Sequence, residues 1–353
     1  MSVLQRDPAA TARRLEEWLS AGAGLERVQV DDITIPGTTG WSNETILFDA
    51  RWRDGGAVEG HELVARIAPA EYSVFPDDTF TMQYEIMRTL GERSDVPIAP
   101  VHWFEASTEW FGQPFWIMTR VAGDIPADTP PYARTGWLHE ASPADQERAW
   151  WSGVEALASV HRVDPALLEG TGLDRPVDPS AAQLDLYERF LIWAEEDQQF
   201  PLARQALDVL RRSAPDAPTQ GPALTWGDAR MSNLIYRDFE VAAVLDWEMA
   251  AICDPLLDLG WWLFADHALT IGSDCERLPG FPSSAATADR WSELTGRSTD
   301  ALGWFELLAG LRFTVIMLRM GKLLHDMGLV SAEFAYDNLI STALAAQLDA
   351  RSA

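Results

Sequence analysis

Apolar side chains recur at two different spacings along this chain, and the switch between them divides it. In the first third they alternate in short runs: Val28, Val30, Ile33 and Ile35 with an irregular step at Asp31-Asp32, then Thr45 to Trp52 and Leu63 to Ile67 joined by Asp54-Gly55-Gly56, then Val101 to Glu105 and Phe115 to Val121. These runs read as strands of a small antiparallel sheet. Two helical patterns interrupt them. One covers 9–20, with Leu15, Trp18 and Leu19 on one face and Gly22 and Gly24 at its end; the other covers 80–91, with Met82, Ile86, Met87 and Leu90, before Pro97 and Pro100 break the chain. From residue 142 the spacing is helical, with helices expected over about 142–161, 181–197 and 203–213, and from Leu256 to the end. A β-rich block followed by a helical block predicts an α+β protein of two lobes: a small antiparallel β-sheet lobe over 1–121 and a mainly helical lobe over 122–353, with the proline-rich loop Asp124 to Pro131 near the boundary.

Local signals refine this outline. Ser142-Pro143-Ala144-Asp145 reads as a helix start, with serine as cap, proline in the first turn and an acid three residues on. A short β-like pair, Asn233 to Tyr236 and Val241 to Leu245, straddles the turn Arg237-Asp238. No internal repeat or low-complexity tract appears.

Composition narrows the function classes. With 353 residues and 47% hydrophobic content the chain can bury two sizeable cores. A net charge of -27 argues against a nucleic-acid partner and fits a solvated acidic surface, with weak favour for a neutral or cationic substrate. Two cysteines, Cys253 and Cys275, exclude a disulfide framework and a cysteine zinc site, and read as buried thiols in a reducing compartment. Met1 to Arg14 lacks the apolar core of a secretory signal, and the apolar stretch Leu256 to Leu263 is too short and too charged to span a bilayer. A cytoplasmic protein with no membrane partner is expected; oligomeric state is not read from the sequence. The only lysine is Lys322, so no lysine is available to the first lobe.

The chemistry concentrates between residues 226 and 258. Phosphoryl transfer needs an acid beside the attacking hydroxyl and oxygen ligands that hold Mg²⁺ against the phosphates. Asp228 would orient the nucleophile and accept its proton, Asn233 would offer an amide oxygen to the metal, and Asp246, returned by the hairpin, would offer a carboxylate. Asp and Asn are also ordinary turn residues. The third member, Asp246, after an apolar β run, and Asp258 downstream shift the reading towards chemistry. Arg230 could meet phosphate or pair with an acid.

These residues carry a resemblance. Trp226-Gly227-Asp228, Asn233, Asp246-Trp247-Glu248 and Asp254-Pro255-Leu256-Leu257-Asp258-Leu259 follow the order and spacing of the aminoglycoside phosphotransferase and small-molecule kinase family: a His-Gly-Asp-x₄-Asn loop, an Asp-Trp-Glu strand end, then Asp-Pro-x-x-Asp-Leu. Ala156-Leu157-Ala158-Ser159-Val160-His161-Arg162-Val163-Asp164-Pro165 is similar to the family's Leu-His-x-x-Asp-Pro helix end. The resemblance spans roughly residues 25 to 330 and implies a protein-kinase-like two-lobed fold and an ATP- and Mg²⁺-dependent transfer of phosphate to a small hydroxyl-bearing substrate. It implies that Asp258 ties down the catalytic loop's backbone. His161 reads as a structural helix-end residue. Trp226 departs from the pattern, standing where the family has histidine; a loop of retained shape with altered support follows.

On the nucleotide side the resemblance places a phosphate-covering turn at Thr38 to Asn43, with Ser42 and Asn43 as side-chain donors; alone, this is a hairpin turn. Arg66, in Leu63-Val64-Ala65-Arg66-Ile67, fills the place of the kinase lysine, with Glu85 as its proposed partner. The run from Phe115 through Met118 to Val121 resembles the adenine-binding hinge. A second reading, a nucleotide-binding pseudokinase without turnover, draws on Trp226 and Arg66; a metal-dependent hydrolase is weaker, because Asn233 and a lone histidine make a poor metal set. The substrate stays open among aminoglycosides, sugars, amino alcohols and hydroxyacyl compounds. The 16 tryptophans, Trp247, Trp261 and Trp262 among them, belong to the core or hint at a less polar pocket.

Overall fold

The computed structural model describes residues 6–35, 43–54, 57–69, 73–215 and 221–352. Among them no helix is long and apolar enough to cross a membrane. By contact the chain divides into two compact units, Met1–Phe75 with Ala99–Val121, and Pro76–Ile98 with Ala122–Ala353. The segment 76–98, which the sequence reading counted in the first lobe, therefore groups with the second unit.

Among the described residues the first unit is a five-stranded antiparallel sheet with one helix. Helix α1 (Pro8–Ala21) starts where Asp7 accepts a bond from Ala10 N and Pro8 fills the first turn. The strands are β1 (Glu26–Thr34), β2 (Glu44–Asp54), β3 (Ala57–Ile67), β4 (Val101–Glu105) and β5 (Phe115–Thr119), in the order β1-β2-β3-β5-β4. The hairpin of β2 and β3 keeps one register from Glu44↔Ile67 to Asp54↔Ala57, so its inward residues stay on one face. The irregular step expected at Asp31-Asp32 is present as a register shift between Asp31 and Thr34, with Asp32 at φ 49°. Leu15, Trp18 and Leu19 of α1 share one core with Ile46, Phe48, Ile67, Phe115 and Ile117.

The second unit is mainly helical. Its helices are α2 (Phe80–Arg93), α3 (Trp137–Glu140), α4 (Pro143–His161), α5 (Pro179–Glu195), α6 (Pro201–Arg212), α7 (Leu256–Leu269), α8 (Ser284–Thr295), α9 (Leu302–Asp326) and α10 (Leu339–Ser352). The start expected at Ser142 is there: its hydroxyl accepts from Asp145 N at 3.2 Å. Helix α5 starts two residues before the expected 181, because Asp178 caps it and Pro179 opens the first turn. The expected hairpin forms as β7 (Leu234–Arg237) and β8 (Glu240–Val244) around Asp238 and Phe239, both at positive φ. A second pair, β6 (Ala223–Thr225) with β9 (Ala251–Cys253), escaped the sequence reading, since three residues carry no measurable period.

Helix α7 is buried along its length except at His267, and α9 lies against it. Their approach depends on Gly260, where a Cβ would come within 2.7 Å of the Phe305 backbone. Gly260→Ala should therefore lower unfolding stability by about 1–3 kcal/mol in a urea titration. A second expectation concerns the thiols. Burial pushes the Cys253 thiol up to about 12, and the Asp254 and Asp258 carboxylates add to this. The thiolate is the reactive form, so a thiol reagent at about pH 8 should leave Cys253 unmodified in the native protein and reach it only after denaturation.

Candidate active site

The site residues around Asp228 all lie in the second unit. The loop that follows β6 is held first by its backbone. Asp258, fully buried in the first turn of α7, accepts from Trp226 N at 2.6 Å and Gly227 N at 2.8 Å. Its Oδ2 also meets His161 Nε2 at 3.0 Å. Trp291 Nε1 donates to His161 Nδ1 at 2.9 Å, so the imidazole proton sits on Nε2 and is given to Asp258. His161 and Asp258 thus act as the structural residues the sequence reading expected. Gly227 has φ +93°, and a Cβ there would lie 2.0 Å from the Met249 carbonyl oxygen, so only glycine fits. Arg312 of α9, 1% exposed, donates from Nη2 to Gly227 O at 3.1 Å. Its guanidinium lies against the rings of Trp261 at 4.8 Å and Tyr187 at 5.1 Å.

Asp228 itself is 6% exposed and accepts three side-chain bonds. Oδ1 takes Trp261 Nε1 at 2.8 Å and Arg230 Nε at 2.9 Å; Oδ2 takes Asn233 Nδ2 at 2.7 Å. Asn233 Nδ2 also donates to Asp228 O at 3.1 Å, so the amide nitrogen is spent on Asp228 and the amide oxygen is what remains for a cation. Arg230 pairs with Asp228 on one side and with Asp128 on the other. Burial alone would lower its pKa, but the carboxylates of Asp128, Asp228 and Asp246 outweigh this and raise it.

Asp246 follows β8. Leu234 faces Val244 in the hairpin and Leu245 N donates to Asn233 O at 2.9 Å, so the register returns Asp246 beside Asn233 as the spacing implied. Asp246 adopts φ +62°, in the left-handed region. Trp226 supplies the altered support: its indole Nε1 donates to Leu245 O at 2.7 Å and to Asp246 O at 3.0 Å.

Among the described residues no group of three or more His, Cys, Asp or Glu is placed to hold a metal. A carboxylate and an amide oxygen flanking the open end of the β7–β8 hairpin are a different kind of donor set. Both are hard oxygens, in the number with which Mg²⁺ is held when phosphates and water complete its shell. The residues fit that ion.

The residues expected on the nucleotide side behave as follows. Asn43 is buried directly before β2, and Ser42 lies outside the described residues. Arg66 of β3 donates from Nη1 to Thr45 Oγ1 at 3.0 Å. Met118 is buried in β5 between Val64 and Val101, and half-buried Val121 follows that strand. Glu85 belongs to the second unit, where it pairs with Arg88 at 2.7 Å. Two residues of the network around Asp228 were missed by the sequence reading. Asp128, which holds Arg230, was counted only as part of a proline-rich loop. Trp261, like Trp247 and Trp262, is a buried core residue, and no pattern marks its indole N–H as a donor to a carboxylate.

A small antiparallel sheet, a helical remainder and this loop, hairpin and helix order define a phosphotransferase of the protein-kinase-like fold. Residues 34–283 match the family model described as "Phosphotransferase enzyme family" (APH), and the chain belongs to that family. It is similar to a candidate aminoglycoside phosphotransferase from Ralstonia eutropha JMP134, with 21% identity, TM-score 0.70 and coverage of 96% of this chain and 98% of that one. It is also similar to a thermostable variant of aminoglycoside phosphotransferase APH(4)-Ia in ternary complex with ADP and hygromycin B, with 16% identity, TM-score 0.61 and coverage of 96% and 99%. Acyl-CoA dehydrogenase family member 11 of Pongo abelii is 26% identical over 212 residues, 58% of this chain and 26% of the relative. The chain thus spans about a quarter of that relative's length.

The anchoring of the loop predicts a stability effect. Asp258→Asn puts an amide where two backbone N–H groups and an imidazole N–H need an acceptor, and should cost about 3 kcal/mol or more in chemical denaturation.

Proposed function

We propose that the chain transfers the γ-phosphoryl group of ATP, with Mg²⁺, to a hydroxyl group of a small molecule. The observation that carries this reading is the arrangement around Asp228: a buried carboxylate fixed by Asn233, Arg230 and Trp261, with Asp246 returned beside Asn233 by the hairpin. Asp228 would hold the substrate hydroxyl and take its proton as that oxygen bonds to the γ-phosphorus and the bond from phosphorus to the β,γ-bridging oxygen breaks, leaving ADP. Three fixed donors orient its carboxylate, so little reorganisation is needed at the moment of transfer. Arg230 brings positive charge to the same carboxylate and is assigned with it to the catalytic set. Asn233 and Asp246 would hold Mg²⁺, which when bound offsets phosphate charge. Ser42, Asn43, Arg66, Glu85, Met118 and Val121 are assigned to the nucleotide.

The fold neighbour seen with ADP and hygromycin B is consistent with a nucleotide and a hydroxyl-rich small molecule as ligands. The naming of the partly matched relative as an acyl-CoA dehydrogenase family member makes hydroxyacyl compounds the acceptors to test first, ahead of amino alcohols, sugars and aminoglycosides. A net charge of -27 and a chain with two cysteines suit a cytoplasmic enzyme without a nucleic-acid or membrane partner. Trp226 in the histidine position keeps one alternative in view, a nucleotide-binding module without turnover.

Turnover of γ-³²P-labelled ATP against a panel of hydroxyl compounds separates the two. Asp228→Asn should lower kcat by about 100-fold or more while ATP binding persists, and Asp246→Ala should abolish Mg²⁺-dependent nucleotide binding. Wild-type turnover in Asp228→Asn would remove the base assignment. Tight ATP binding with no phosphorylated product at any metal concentration would favour the module.

A further inference from the structure

Trp226, which stands where the resembled pattern has histidine, has a side chain that touches the backbone of the proposed metal ligand. Trp226 is 1% exposed, and its two ends are tied to different elements. Its backbone N–H is held by Asp258 of α7 at 2.6 Å. Its indole N–H is shared between Leu245 O at 2.7 Å and Asp246 O at 3.0 Å. Those two carbonyls belong to the peptide groups on either side of the Asp246 Cα. A donor that binds both restrains the two backbone dihedral angles between them, and with them the direction in which the Asp246 Cα–Cβ bond leaves the chain.

The fixing matters because of the conformation it holds. Asp246 stands at φ +62°, which for a residue with a Cβ costs about 1–3 kcal/mol and persists where neighbouring contacts impose it. Trp247 contributes from the other side: its ring lies 6.4 Å from that of Trp226, and its indole N–H donates to Val244 O at 3.3 Å. An indole offers one donor and no acceptor, so its polar contribution to this turn is this shared bond.

We infer that Trp226 is a positioning residue for the metal site: its indole N–H sets the Asp246 carboxylate, so the substitution in the motif preserves metal binding by a different side chain. The inference rests on the reading of Asp246 as a Mg²⁺ ligand. Removing a group that supports a metal ligand typically weakens metal binding by about tenfold or more.

The test is calorimetric titration of a non-hydrolysable ATP analogue at graded Mg²⁺. Three proteins are compared with the full-length wild type: Trp226→Phe, a protein carrying 3-benzothienylalanine at position 226, and Asp246→Ala. The benzothienyl side chain keeps the size and shape of indole and replaces only its N–H with sulfur, so it isolates the bond even where Trp226→Phe fails to fold. The Mg²⁺ concentration for half-maximal analogue binding should rise about tenfold in the benzothienyl protein, with analogue affinity at saturating Mg²⁺ within about twofold of wild type. Asp246→Ala should lose the Mg²⁺ dependence. An unshifted Mg²⁺ dependence in the benzothienyl protein, with the dependence lost in Asp246→Ala, overturns the role of Trp226 and leaves the proposed function standing. An unchanged dependence in Asp246→Ala removes the metal assignment, and this inference with it.

Discussion

Asp258 is a carboxylate with no exposure to solvent, and its oxygens take two backbone N–H groups from consecutive residues and one imidazole N–H. A charge in that position is costly to bury unless its acceptor sites are filled. Trp226 N, Gly227 N and His161 Nε2 fill them, and the cost of losing any one is what keeps the loop in place. The constraint passes outward from there. Trp291 fixes the tautomer of His161, Gly227 takes the positive φ with which the chain turns after the second of those N–H groups, and Asp228 comes next in the chain. The geometry around Asp228 is in this sense a consequence of how α7 is buried.

Much of the fold was legible because long elements carry a period. The alternation in β2 and the three- and four-residue spacing in α4 survive any single irregular residue, and both appeared where expected, whereas β3 starts six residues before the expected Leu63. The boundary of the first unit was less legible. Helix α2 is amphipathic either way, and nothing in its own spacing says which core its apolar face joins. Strands β6 and β9 were invisible for a different reason. Each is three residues long, and they pair across a separation that includes the whole hairpin, so only the folded chain brings Ala223 to Cys253.

The site divides along a similar line. Asp228, Asn233 and Asp246 could be placed together from the sequence because they lie close along the chain, two on one loop and the third just past the returning strand. Asp128 could not, since it reaches Arg230 from a loop about a hundred residues earlier in the chain. Trp261 sits on a helix that is apolar on nearly every face, so its spacing marks it as core, and core it is. Only the coordinates show that the one polar atom of that side chain ends on Asp228. Trp226 shows the reverse. The sequence marked it as a departure, and the folded chain shows its indole N–H donating to Leu245 O and Asp246 O.

The proposed transfer needs three side chains, Asp228, Asn233 and Asp246, to act at one phosphate group. The most direct measurement is a crystal structure of the protein with Mg²⁺ and a non-hydrolysable ATP analogue. The proposed transfer predicts metal density bonded to the Asp246 carboxylate and the Asn233 amide oxygen, with the Asp228 carboxylate facing the terminal phosphate but not the metal. Metal bound elsewhere, or Asp228 turned away from the terminal phosphate, would contradict it.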